Sequence, residues 1–328
     1  MQTIYIEKAI ASHPRTLRII QQLQPENIIE CDFYKEVFNP KAQNFRIQKQ
    51  NPALILAEKK NNFISKSPPG FGIGGDVNYY FSHMLNCLFD CRYCFLQGMY
   101  SSANYVVFVN YEDFMQEIVL LSQTAVNPIY FFSGYDCDSL AYEPVTYFLK
   151  EFLPFFQPLK NAILELRTKS TNIKELLHVS AFKHCVVAFS LNPDEISQAI
   201  EKKVPPLAKR LQAMQEVANH GWPIGLRFDP LIYHPNFKLL YQDLIETIFK
   251  LISPQQIHSI SVGTMRFPEK MYQTIVNLYP NDALLAHPLY KQGKTMAYRD
   301  ELEQSMKAWV YELLSNHVNQ AILFECKS

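Results

Sequence analysis

Glycine is scarce in this chain, ten residues of 328, and tryptophan scarcer at two. A protein made mainly of turns and loops is thereby excluded, and each glycine that does occur is informative. Net charge is also missing: 31 basic side chains cancel 31 acidic ones, so no global field draws the molecule to nucleic acid or to an anionic membrane. No apolar run approaches the roughly 20 residues that cross a bilayer. The opening Met-Gln-Thr-Ile-Tyr-Ile-Glu-Lys has neither the basic start nor the apolar stretch of a signal or transit peptide, so a soluble, cytoplasmic protein with no membrane partner is expected. What the chain does have is 48% hydrophobic and 19% charged residues, enough to fill a core, and a length about twice that of a usual domain.

Beyond residue 76, short β-branched or aromatic runs alternate with stretches of helical period, the pattern of repeated βα units. Six strands are predicted, at Asn78 to Met84, Ile129 to Ser133, Ala162 to Thr168, Cys185 to Leu191, Ile224 to Asp229 and Ser259 to Gly263. Helices are predicted between them at Glu112 to Gln123, Tyr142 to Phe155, Asn172 to His178, Pro206 to His220 and Lys238 to Ile252. The fourth carries Leu207, Leu211, Met214, Val217 and Ala218 on one face, with Pro206 in its first turn and Gly221 at its end. Six such units in series imply an α/β fold with a parallel sheet, either a partial barrel or an open doubly wound sheet, with function at the C-terminal strand ends. The division expected is an N-terminal α/β extension over 1–70, the barrel over 71–285 and a C-terminal hairpin and helix over 286–328. In the extension a strand is expected at Ile4 to Ile6 and a helix near Arg15 to Leu23, followed by a polar segment. In the tail a turn is expected at Gln292 to Lys294 and a long helix from Arg299 to about His317, then a last apolar run, Ala321 to Phe324.

Gly70, Gly72 and Gly75 have the spacing of a dinucleotide-binding loop, but Pro68 and Pro69 precede them and a strand follows, so the context is wrong and a loop into the first barrel strand is expected. The motif that carries chemistry is Cys87-Leu-Phe-Asp-Cys91-Arg-Tyr-Cys94, three thiols within eight residues just past the first predicted strand. Three converging thiols suit a soft metal. Structural zinc takes four protein ligands, and the nearby His83 falls in the strand. A 4Fe-4S cluster on three thiolates keeps one iron open for a small molecule. Cys31, Cys185 and Cys326 are scattered and read as structural.

At these residues the sequence resembles the radical S-adenosylmethionine superfamily, whose signature is this spacing with an aromatic residue, here Tyr93, before the last cysteine. Over nearly the whole chain it is similar to the spore photoproduct lyase family of DNA repair enzymes. The likeness rests on Ile4 to Glu7, Cys94-Phe-Leu-Gln97, Asp138 to Pro144, Thr168-Lys169, Phe189 to Asn192, Pro206 to Arg210, Gly225 to Pro230 and the turn at Lys291 to Lys294. The resemblance implies a partial (β/α)6 TIM-type barrel, a 4Fe-4S cluster on Cys87, Cys91 and Cys94, and S-adenosyl-L-methionine as cofactor. It implies contacts to that cofactor from Tyr93, Ser133, Gly134, Lys169 and Ser190, and catalytic roles for Cys137 and Tyr93. The implied activity is a carbon–carbon lyase acting on thymine dimers, with an electron donor such as flavodoxin or ferredoxin.

The chain departs from the family's pattern at three points. Tyr135 stands where the family has a hydrogen-donating cysteine, with Cys137 two residues on; Phe95 stands where it has a relay tyrosine; and Lys294-Thr295 stand where it has an Arg-Tyr wedge. Tyr290, Lys291, Lys294, Tyr298 and Arg299 form a basic and aromatic cluster suited to damaged DNA. Two other readings stay open at this stage, a radical enzyme with a non-DNA substrate and a non-catalytic iron–sulfur, zinc or nucleic-acid-binding protein.

Overall fold

The computed structural model describes residues 2–75, 77–123 and 127–326. Its larger sheet contains all six predicted strands, here β1 (Asn78–Phe81), β2 (Ile129–Ser133), β3 (Ala162–Thr168), β4 (Cys185–Ser190), β5 (Ile224–Leu231) and β6 (Ile257–Thr264). They pair in parallel in chain order, with Ser65–Lys66 added antiparallel beside β1 and Leu323–Glu325 added in parallel beside β6, making eight strands. β4 is Cys-Val-Val-Ala-Phe-Ser and buried throughout, the continuous apolar run that a parallel strand covered on both faces requires. The helices between are α1 (Tyr111–Gln123), α2 (Phe148–Phe156), α3 (Lys174–His178), α4 (Leu207–Asn219) and α5 (Phe237–Leu251). α4 buries the predicted face of Leu207, Leu211, Met214, Val217 and Ala218.

Two expectations need correction. The helix expected over Tyr142 to Phe155 is two, Glu143–Thr146 and α2, because Tyr147 takes a left-handed φ of 52° between them. The first strand stops at Phe81 rather than Met84. The chain bends there, and Met84–Leu85 joins a different sheet, which puts His83 outside the strand.

That second sheet has the order Asn27–Cys31, Thr3–Glu7, Leu54–Ala57, Tyr105–Phe108, Met84–Leu85. The polar segment of the extension therefore holds three unanticipated strands, Asn27–Cys31 and Leu54–Ala57 in this sheet and Ser65–Lys66 in the larger one, and this sheet draws its last two from the chain around the cysteine loop. The helix Pro14–Leu23 follows the first strand. From it Arg15 reaches the barrel helices, donating to the Glu112 carboxylate at 2.7 and 2.8 Å, to Glu151 and to the Val109 carbonyl at 2.6 Å, with Tyr111 beneath its guanidinium.

Inside the barrel a fully buried ion pair ties β3 to β5: Arg227 donates to both Glu165 oxygens at 3.2 and 2.8 Å and to Ser259 on β6. Burial alone would raise the Glu165 pKa, but Arg227 and Arg167 hold it down to about 2. The folded value lies below the ordinary 4.5, so the pair's stabilisation is complete above that value and is lost as pH falls through about 2. Arg227→Met, which leaves the buried carboxylate to Arg167 alone, is expected to cost about 3 kcal/mol in urea unfolding, and Arg227→Met with Glu165→Met to recover much of that. Equal stability of the single variant and the wild type would contradict this role.

Candidate active site

The C-terminal ends of β2 to β6 converge on one cavity of about 500 Å³. Ser133, Thr168, Ser190, Asp229 and Thr264 each bring a strand end to its wall. The thiols of Cys87, Cys91 and Cys94 line it as well, together with Tyr93, Gly134, Lys169 and Cys137. Every residue expected to bind metal or cofactor, or to take part in catalysis, thus borders a single space.

The cysteine loop is pinned from behind by a buried polar network. Cys91 lies opposite Glu201 in a short antiparallel ladder. The Glu201 carboxylate accepts from the Tyr93 hydroxyl, from Ser197 Oγ at 2.6 Å, from Arg210 Nη2 at 2.8 Å and from Asn192 Nδ2 at 3.2 Å. Arg210 is fully buried and also donates to the Ser190 carbonyl at 3.1 Å, so one cation braces both the cysteine loop and the end of β4. Burial works against the charged form of Glu201, but Lys169 and Arg210 outweigh it and lower the pKa. The same burial, with the Glu201 charge beside it, holds the Tyr93 hydroxyl well above the usual tyrosine range. On the other side, the Lys49 ammonium, supplied by the N-terminal extension, donates to the Cys87 carbonyl at 3.0 Å. After the loop, Gly98 packs so closely on the helix Glu269–Leu278 that a Cβ would come within 2.5 Å of the Met271 carbonyl.

Asp138 organises the opposite wall. Its carboxylate accepts from the Leu140 and Ala141 amides at 3.0 and 2.9 Å, from Thr168 Oγ1 at 2.7 Å and from the Lys169 amide at 2.6 Å, joining the loop after β2 to the end of β3. Gly134 has φ +78°, and a Cβ there would meet Ser139 Oγ at 2.6 Å, so only glycine permits this turn. Ser133 Oγ donates to the Glu165 carbonyl at 2.9 Å and so faces the barrel's polar layer. Lys169 aims its ammonium over the Tyr93 ring, 5.4 Å from the centroid. Burial lowers its pKa, and the facing Cys91 thiol and Glu201 carboxylate more than restore it.

The donor set fits a cluster better than a single ion. Burial raises the pKa of all three thiols, Cys87 to about 12. His83 is not placed as a fourth ligand: it is buried, stacked face to face on Phe148 at 4.0 Å, and does not line the cavity that the three thiols share. Among the described residues no three Cys, His, Asp or Glu side chains gather closely enough for one ion. Thiolates carried by three separate irons of a cubane stand farther apart than ligands of one metal.

Cys137 is buried among apolar residues of the second sheet, including Met84 and Val107, while bordering the cavity. Burial pushes its thiol well above the usual range, so it keeps its hydrogen. Tyr135 stacks on Tyr80 at 4.3 Å and meets Phe95 at 5.5 Å. The glycine loop takes no nucleotide-binding form; Gly72 and Ile73 line the cavity instead, and a strand follows. Cys326, expected to be structural or incidental, also lines the cavity, beside Asp229. The tail hairpin, Tyr290–Gln292 with Thr295–Ala297, borders the cavity through Thr295. Its nucleic-acid cluster needs one correction: Tyr298 is 1% exposed, its hydroxyl accepting the Tyr233 amide at 3.1 Å, so it cannot stack on a base. Tyr290, Lys291, Lys294 and Arg299 stay on the surface.

Lys49, Glu201 and Arg210 escaped the sequence reading because no spacing links them to the cysteines; only the Pro206 to Arg210 run touched one of them. If the Glu201 network holds the loop, Glu201→Gln should lower stability by about 3 to 5 kcal/mol in denaturant and reduce the iron retained after anaerobic reconstitution. Unchanged stability and full iron would show that the network is dispensable.

Comparison with known proteins agrees over the whole length. The sequence matches the spore photoproduct lyase family over residues 2–324. Spore photoproduct lyase of Bacillus subtilis (strain 168) is 24% identical over 298 residues, 87% of this chain and 85% of that one. The enzyme of the same name from Clostridium acetobutylicum is 22% identical over 288 residues, 85% and 82% of the two chains. A double mutant of spore photoproduct lyase, solved with bound AdoMet and dinucleoside spore photoproduct, superposes with a TM-score of 0.84 at 18% identity, covering 99% of this chain and 98% of that one. A spore photoproduct lyase complexed with dinucleoside spore photoproduct gives 0.81 at 19% identity, with the same coverage.

Proposed function

The chain belongs to the spore photoproduct lyase family, and from that premise we propose that it is a radical S-adenosylmethionine lyase that reverses a thymine-dimer lesion in DNA. The observation that carries the reading is the shared cavity, lined by three thiols and five strand ends and bordered through Thr295 by a hairpin whose Lys294 is exposed. Cys87, Cys91 and Cys94 would hold a 4Fe-4S cluster. When bound, the cluster and S-adenosylmethionine supply one-electron cleavage of a carbon–sulfur bond to a 5′-deoxyadenosyl radical.

The chain's own residues supply position and dryness. The Lys169 ammonium, aimed into the cavity over Tyr93, suits the cofactor's carboxylate. Ser133, at the end of β2, and Gly134, on the turn after it, suit its amino group, and Ser190 its ribose. Tyr93, locked to Glu201, serves as a fixed wall beside the thiols rather than as a mobile acid. Cys137, protonated by burial, is the side chain we assign to return a hydrogen atom to the product. A second donor is favoured by one observation, the position of Tyr135 on the cavity wall, where its phenol is stacked on Tyr80. The surface hairpin residues Tyr290, Lys291, Lys294 and Arg299 suit the phosphate backbone of damaged DNA. The seven cysteines are free thiols, as a reducing cytoplasm keeps them, and we place the protein there.

Wild-type protein, reconstituted anaerobically and reduced, should release 5′-deoxyadenosine from S-adenosylmethionine, and Cys91→Ala should release none. Release by the variant at the wild-type level would contradict the assignment of the cluster to this loop. The hydrogen donor is separable. With lesion substrate present, Cys137→Ala should keep 5′-deoxyadenosine release but lose at least tenfold in repaired product, while Tyr135→Phe should retain most of it. The reverse pattern would move the role to the phenol.

A further inference from the structure

In a chain without net charge, basic residues gather on the outer side of the cysteine loop. Residues 37–57 contain Lys41, Arg46 and Lys49 and no Asp or Glu; residues 196–215 contain Lys202, Lys203, Lys209 and Arg210, with Glu201 their sole acid. The fold brings the two segments together. Lys203 Nζ donates to the Lys49 carbonyl at 3.0 Å. Lys202 lies opposite Asp90 in the ladder that pairs Glu201 with Cys91, so its exposed side chain sits one residue along that ladder from a cysteine of the triad. Arg46 and Arg92 both approach the Tyr279 ring, at 6.0 and 4.1 Å.

The acids nearby do not neutralise this face. Glu201 is buried on Arg210 and Tyr93, and Asp90 and Asp282 are both taken by Arg92 at 2.9 and 3.1 Å. Asp194 and Glu195, in the first turn of the helix Asp194–Ile200, are the remaining carboxylates close in sequence. Arg46, Lys202, Lys203 and Lys209 are exposed, and Ile47, next to Arg46 in the chain, is 63% exposed. The result is a cationic surface that also carries an exposed apolar side chain. None of Arg46, Lys202 or Lys203 lines the cavity, so the surface is separate from the space a substrate would enter.

Resting on the function proposed above, we infer that this face docks a small acidic protein carrying a low-potential one-electron centre, which reduces the cluster through the short path at Cys91. One electron leaves the carrier's reduced centre and enters the cluster, and no proton or group moves with it. Charge complementarity steers the encounter and an exposed apolar residue fills the contact, while the cross-strand neighbour of Lys202 brings the electron next to a ligand-bearing residue. A DNA strand would find phosphate partners here too, but none of the exposed cations, Arg46, Lys202, Lys203 and Lys209, lines the cavity that would do the chemistry.

The test uses the reconstituted full-length enzyme carrying Arg46→Glu with Lys202→Glu, and Lys238→Glu on α5 as a distant charge reversal. Each is reduced either by photoreduced flavodoxin, an acidic carrier, or by dithionite, a small anion with no docking requirement. The double variant should be reduced by flavodoxin at least tenfold more slowly at low ionic strength, with the difference shrinking as salt rises. Dithionite-driven 5′-deoxyadenosine release and the Lys238→Glu control should match the wild type. Wild-type rates of flavodoxin reduction in the double variant would overturn the surface, and weakened binding of duplex DNA by that variant would overturn it in favour of a nucleic-acid face. Failure of dithionite to support release even in the wild type would count against the enzyme reading instead.

Discussion

The carboxylate of Glu201 is the constraint on which the site depends. It is buried, it takes hydrogen bonds from a tyrosine, a serine, an asparagine and an arginine, and its own residue pairs with Cys91. A charge so placed is tolerable only if every partner is present, because desolvation outweighs any single contact. The partners come from the cysteine loop, the segment just after β4, the helix Asp194–Ile200 and α4, so satisfying one carboxylate fixes the loop's position relative to the barrel. Tyr241, which donates to Asn192 Oδ1 at 2.9 Å, extends the network to α5.

Asp138 does for the opposite wall what Glu201 does for the loop. Burial raises its pKa, but its carboxylate is saturated by two amides of its own turn and by the Thr168 hydroxyl and Lys169 amide. The two walls of the cavity are thus set by two buried acids, each spanning a strand end and a loop. The N-terminal extension adds a third tie, with Lys49 reaching the Cys87 carbonyl and Arg15 gripping the barrel helices. This explains why the extension and the barrel share strands: Met84–Leu85, just before the cysteines, is the edge of the extension's sheet. The cysteine loop leaves one sheet and is braced by the other.

The barrel strands were legible because buried parallel strands leave continuous apolar runs such as Cys185–Ser190, and the cysteines because their spacing is local. The break at Tyr147 was not legible, since a left-handed residue inside an apolar helical pattern leaves no compositional trace. The extension's sheet was hidden for another reason: Asn27–Cys31 is an exposed edge whose Asn-Ile-Ile-Glu-Cys alternates weakly, and its partners come from distant segments. Lys49, Glu201 and Arg210 depend on tertiary pairing alone. Tyr298 looked like a surface aromatic beside Arg299, whereas the strand Thr295–Ala297 turns it inward against Tyr233.

The most direct measurement supplies the reconstituted, reduced enzyme with S-adenosylmethionine and dinucleotide spore photoproduct and counts the thymine dinucleotide restored. The account predicts lesion conversion that requires both the cofactor and Cys91. Release of 5′-deoxyadenosine with the lesion left intact would contradict it, leaving a radical enzyme whose substrate lies elsewhere.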